Sequence, residues 1–160
     1  MYDLLIKNSR LSGKSGEYNI AVDNGKIVEI TREKIKADKT IDIKSNYLLP
    51  GFIDPHVHFR DPGLTQKEDF RTGSEAAAHG GFTFVMDMPN TVPKTNTYKA
   101  FKEKQKIAES KSIVNFGLHA GYSTLEEMEK ILELNQCLLK SLWIWKLMRI
   151  WIRYLKIFPI

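Results

Sequence analysis

The chain has 160 residues, 42% apolar and 27% charged, which is the size and composition of one soluble domain and excludes collagen-like, disordered and disulfide-scaffold classes. Cys137 stands alone, so no internal disulfide and no cysteine-built zinc finger is expected. The formal charge of +5 sits wholly after residue 135, and the neutral remainder offers no basic groove, so nucleic acid is not expected as a partner.

In chain order, the N-terminus MYDLLIKNSRL lacks a long apolar stretch and a small-residue cleavage site, so a cytoplasmic product is expected. Residues 1–49 read as short strands: YDLLIKN, YNIAVDNGKIVEI and TIDIKSNYLL are rich in β-branched and apolar residues between polar turns. Asn24-Gly25 lies between two alternating runs and predicts a hairpin, because both residues tolerate positive φ. This part is a small β-domain portion, a scaffold without chemistry.

From Pro50 the period changes. GFIDPHVHF predicts a strand, Glu68 to His79 a helix capped through Thr65-x-x-Glu68, and FTFVMDM an apolar strand after Gly80-Gly81. Tyr98 to Lys111 predicts an amphipathic helix, IVNFGLHAG a third strand, and Ser123 to Leu134 a third helix capped by Ser123 or Thr124. Alternating strands and helices with buried apolar strands indicate a parallel α/β sheet. Three such repeats are legible, whereas a closed (β/α)₈ barrel takes roughly 250 residues; the expectation is an incomplete barrel.

The densest chemistry lies in Asp54-Pro55-His56-Val57-His58-Phe59-Arg60-Asp61-Pro62-Gly63. On an extended segment His56, His58 and Arg60 share one face. Two imidazoles two residues apart suit zinc or another borderline transition metal. Arg60 adds a planar cation suited to a carboxylate. An HxH by itself more often means that one or both histidines are satisfied core or loop side chains; its place at the C-terminal end of a strand in a βα pattern favours function. Asn90, in DMPNT at the end of the second strand, offers a donor and an acceptor, or simply a turn after proline. His119, ending the third strand, reads as a polar residue near the pocket and not as a metal ligand. His79 suits a helix C-terminus.

These residues carry a resemblance. Residues 1–135 resemble the N-terminal part of dihydroorotases, in the cyclic-amidohydrolase group of the amidohydrolase superfamily. It rests on YLLPGFIDPHVHFRDPG at 47–63, KEDFRTGSEAAAHGGFTFVMDMPNT at 67–91 and, more loosely, NFGLHAG at 115–121. HxHxRDPG together with MPNT is shared mainly with allantoinases, so an allantoinase-like chain is the alternative. The resemblance implies an α/β fold, with 1–49 a small β-domain portion and 50–135 the first three βα units of a metal-dependent barrel. It implies zinc-dependent, reversible hydrolysis of dihydroorotate to N-carbamoyl-aspartate in pyrimidine biosynthesis. By resemblance His56 and His58 bind metal, while Arg60 and Asn90 hold the substrate carboxylate. The family's general base, later carboxylate or carboxylated lysine, and two further histidines have no counterpart here. The ligand set is therefore expected to be incomplete and the chain a shortened, inactive version; oligomeric state is left open.

Residues 136–160 stand apart. Lys140, Lys146, Arg149, Arg153 and Lys156 face no acidic residue, and Trp143, Trp145 and Trp151 are the only tryptophans. One expectation is translation from a shifted frame. Taking the third base of each codon with the first two of the next, Trp143-Ile144 gives Asp, Trp145-Lys146 gives Glu and Trp151-Ile152 gives Asp. Suitable codons elsewhere permit FKIFMDLETDENLDKIFK across 138–156, a strand followed by an acidic helix former. The gene's DNA across codon 135 decides it: a verified shifted frame that runs directly to a stop defeats the idea. At face value, 138–158 instead reads as an amphipathic helix of a membrane-surface or interaction protein. It is not a clean transmembrane span, because charges interrupt the apolar run.

Overall fold

The structure is a computed structural model that describes residues 1–134 and the backbone of residues 137–139. The readings of 136–160 as a frame-shifted or membrane-seeking tail therefore lie outside the described residues, apart from that short backbone stretch. Two compact units divide the chain between Pro50 and Gly51.

The first unit is one mixed sheet. Strands β1 (Tyr2–Leu11), β2 (Glu17–Asp23), β3 (Lys26–Thr31) and β4 (Ala37–Asp42) lie in the order β3-β2-β1-β4, and β5 (Tyr47–Leu48) also pairs with β1. β1 with β2 and β2 with β3 are antiparallel, whereas β4 and β5 run parallel to β1. The expected hairpin joins β2 to β3: Asn24 and Gly25 have φ of 50° and 72°, and Asp23 pairs with Lys26. Positive φ at both central residues gives a turn whose twist matches that of the strands.

The second unit repeats strand and helix: β6 (Phe52–Val57), α1 (Phe70–His79), β7 (Phe82–Asp87), α2 (Tyr98–Lys111), β8 (Asn115–Ala120), α3 (Leu125–Leu132) and β9 (Cys137–Leu139). The strands are parallel and their spatial order, β6-β7-β8-β9, is the chain order. α1 packs on β7, α2 on β8 and α3 on β9, and neighbouring helices touch, so the crossovers form one layer beside the sheet. Phe70, Phe101, Ala108 and Ile131 from the helices meet Val85, Leu118 and Ala120 from the strands in one cluster, joined by Phe59. Burying each large side chain contributes about 1.5–3 kcal/mol. Phe59 and Phe70 meet edge to face, with ring centroids 5.5 Å apart, which anchors the residue after His58 to α1. No helix among the described residues is long and apolar enough to cross a membrane.

The helix starts follow local chemistry. α2 and α3 are capped by Thr97 and Thr124, whose hydroxyls accept from Ala100 N and Glu127 N. The cap expected at Thr65 is not the one formed. α1 begins at Phe70, and Asp69 accepts from Thr72 N at 2.9 Å while Thr72 closes the box. The reason is burial: Phe70 is fully buried, and Asp69 directly precedes it, whereas residues 65–67 still belong to the loop.

The Thr72 backbone N–H, helped by the Thr72 hydroxyl and Lys111, holds the Asp69 carboxyl below its usual range. A carboxyl depressed in the folded state stabilises above its unfolded pKa, about 3.9, and the contribution disappears as pH falls through the lower folded value. Asp69→Ala is expected to cost about 1 kcal/mol at pH 7. Urea unfolding should show this gap closing as the pH is lowered below the unfolded value.

Candidate functional site

The loops leaving β6 and β7 are laced together residue by residue. Met88 N donates to Val57 O at 3.0 Å, and Phe59 N to Asp87 Oδ1 at 2.6 Å. Further on, Val92 N donates to Pro62 O at 3.1 Å. At that last rung the loops touch so closely that a Cβ on Gly63 would collide with the Val92 carbonyl, and Gly63 also has φ of 89°. HxHxRDPG and MPNT, 32 residues apart at His58 and Asn90, thus form one surface.

Between these rungs, His58 Nδ1 lies 2.8 Å from Asn90 Oδ1. An amide oxygen only accepts, so His58 donates from Nδ1, the tautomer of the neutral ring that leaves Nε2 as acceptor. The ring centroids of His56 and His58 are 5.1 Å apart, with their planes at 58°. Two imidazoles on one tetrahedral zinc, each nitrogen about 2.0–2.1 Å from the metal, have centroids about 5 Å apart. The spacing and the His58 tautomer fit a shared zinc. Among the described residues no group of three or more His, Cys, Asp or Glu could hold a metal, so any such site is completed from elsewhere.

Arg60 differs from the expectation drawn from strand alternation. β6 ends at Val57, and Arg60 has φ of 62°, so a turn and not the pleat sets its direction. Its carbonyl accepts from Leu64 N at 3.0 Å, and its guanidinium has no hydrogen-bond or ion-pair partner among the described residues. Asn90 Nδ2 likewise has no partner among them. His119 Nε2 donates to Pro55 O at 2.9 Å, one residue before His56, while its Nδ1 is buried without a partner among the described residues. The expected satisfied polar residue is thus satisfied at one nitrogen.

Two residues escaped the sequence reading. Asp87 and Lys104 are both fully buried, with Lys104 Nζ 2.5 Å from Asp87 Oδ2 and donating to Met88 O at 2.7 Å. Burial pushes the Lys104 ammonium below its usual range, against the Asp87 carboxylate, which favours the charged form. A signal existed: Lys104 falls on the same face of α2 as Phe101 and Ala108, where a lysine is out of place. Seven residues on, Lys111 reaches Asp61 of the RDPG turn at 2.7 Å and Asp69 at 3.5 Å, and these carboxylates, Asp61 first, raise its ammonium above the usual range.

Residues 47–147 match the amidohydrolase family. The chain belongs to the amidohydrolase family. Among individual relatives, it is 54% identical to a dihydroorotase of Methanothermobacter thermautotrophicus over 82% of this chain and 30% of that one. It is 36% identical to an allantoinase of Deinococcus radiodurans over 84% of this chain and 31% of the other. Among solved structures, the L-hydantoinase (dihydropyrimidinase) of Arthrobacter aurescens superposes with a TM-score of 0.74 at 36% identity, over 84% of this chain and 31% of the other. This amidohydrolase chain therefore spans about three-tenths of the length of the curated relatives it matches.

Proposed function

We propose that the joined loops after β6 and β7 are part of a zinc-dependent site that hydrolyses the cyclic amide of dihydroorotate to N-carbamoyl-aspartate, reversibly, in pyrimidine biosynthesis. β6 to β9 are then consecutive strands of a (β/α)₈ barrel, with the site at their C-terminal ends. The observation that carries the reading is the His58–Asn90 hydrogen bond, which joins a candidate metal ligand to a candidate substrate-binding residue.

In this reading His56 and His58 hold the metal, His58 through Nε2. When bound, zinc supplies Lewis acidity, which polarises an amide carbonyl and acidifies water. Asn90 serves two ends: its oxygen fixes the His58 tautomer, and its amide N–H₂ is left to donate to a carboxylate. The Arg60 guanidinium supplies the second, charge-assisted contact to that carboxylate. Together they orient a ring bearing a carboxylate beside the metal, which converts binding into positioning for attack. Hydantoin-type rings without a carboxylate gain nothing from Arg60.

A chimera tests this. Residues 47–134 replace the matching segment of the Methanothermobacter dihydroorotase, and N-carbamoyl-aspartate is quantified by chromatography. The zinc-loaded chimera is expected to hydrolyse dihydroorotate. Arg60→Met within it should lower kcat/KM roughly 10–150-fold, the equivalent of losing one charge-assisted hydrogen bond. A folded, zinc-loaded chimera that acts on allantoin but not dihydroorotate would overturn the substrate assignment.

A further inference from the structure

We propose that Lys104 and Asp87 are positioning residues, a buried pair that holds the His58 and Asn90 loops in the one register where those two side chains meet. The proposal deepens the reading above, because His58 and Asn90 are its residues.

The geometry is that of a clasp. Asp87 Oδ1 accepts the backbone N–H of Phe59, the residue directly after His58. Lys104 Nζ donates to the backbone carbonyl of Met88, two residues before Asn90. The two side chains join through Asp87 Oδ2 and Lys104 Nζ at 2.5 Å. One end of the clasp therefore grips the first loop, the other grips the second, and both side chains are fully buried. Space filling alone does not require this chemistry, since an apolar pair of similar volume packs as well or better than a buried ion pair. What apolar side chains cannot do is satisfy the Phe59 N–H and the Met88 carbonyl. Left unpaired, the buried Phe59 N–H would carry the full desolvation penalty, and the first loop would shift to find it another partner. A shift of one residue separates His58 Nδ1 from Asn90 Oδ1. That pair sits at an exposed position, where its own hydrogen bond is a weak restraint, so the fixed register comes from beneath.

The test uses the full chain, ¹⁵N-labelled, with the double variant Asp87→Leu/Lys104→Met as the apolar replacement. Two signals are read: hydrogen exchange of the Phe59 amide, and the imidazole nitrogen shifts of His58, which report its tautomer. In the wild type the Phe59 amide is expected to exchange on the order of 100-fold more slowly than an open loop amide, with the His58 proton on Nδ1. The double variant should stay folded, with most of the stability lost in Lys104→Met regained, yet lose most of the Phe59 protection and the Nδ1–H tautomer. A folded double variant that keeps both signals overturns the proposal. If the variant does not fold, the wild type still decides: Phe59 exchanging like an open loop amide while α1 and α2 are protected overturns it too. Zinc titration separates the two claims. A chimera, as described above, that folds but takes up no zinc, alongside a folded double variant of the chain that loses the His58 tautomer, supports the positioning pair and overturns only the metal assignment.

Discussion

Lys104→Met by itself is expected to lower the unfolding free energy by about 3–5 kcal/mol, because it leaves the Asp87 carboxylate buried without its cation. Asp87 is fully buried, so water cannot replace the lost ammonium without opening the structure around it. The size of the loss distinguishes this pair from the exposed ones. Lys130–Glu126 and Arg71–Glu75 are i,i+4 pairs on helix surfaces, and breaking either should cost under about 0.5 kcal/mol. Adding Asp87→Leu to Lys104→Met should return most of the lost stability, since the buried charge is then gone. Urea unfolding of the single and double variants gives the coupling between the two positions directly. If Lys104→Met unfolds at the wild-type urea concentration, the pair is not charged in the way its geometry indicates.

If the site holds zinc as proposed, His58→Ala is expected to remove that binding. Among the described residues the site offers two imidazoles, half of a four-ligand shell, and one nitrogen does not hold zinc against water. Asn90→Ala leaves both rings in place but frees the His58 tautomer, so affinity should fall by roughly 10–100-fold. His119→Ala should leave binding nearly unchanged, since the nitrogen that His119 commits serves the Pro55 carbonyl. Competition with a chromophoric chelator at pH 7 reads all three. Equal zinc affinity for the wild type and His58→Ala would remove the metal assignment from this residue.

Much of the framework was legible because local chemistry determined it. The turn at Asn24-Gly25 needed only two residues able to take positive φ, and both do. α2 followed its apolar spacing from Tyr98 to Lys111, without a competing signal at either end. Thr65-x-x-Glu68 and Asp69-x-x-Thr72, four residues apart, are both plausible caps of α1 on local grounds. Only the burial of Phe70 chooses between them. Alternation puts Arg60 on the face of His56 and His58 only if the chain stays extended that far, and its φ of 62° belongs to a turn instead.

The sequence by itself determined which side chains stand near the strand ends: His56 within the end of one strand, His58 and Arg60 just beyond it, and Asn90 after the next strand. Residue type and strand position depend on near neighbours, and periodicity reports near neighbours. Only the tertiary structure decided that His58 meets Asn90, that Arg60 is left without a partner among the described residues, and that Asp87 accepts from Phe59 while Lys104 donates to Met88 beside it. Those facts depend on register between segments 16 or more residues apart and on what a buried charge must find to be satisfied. No pattern along one strand or helix encodes the partner across the sheet.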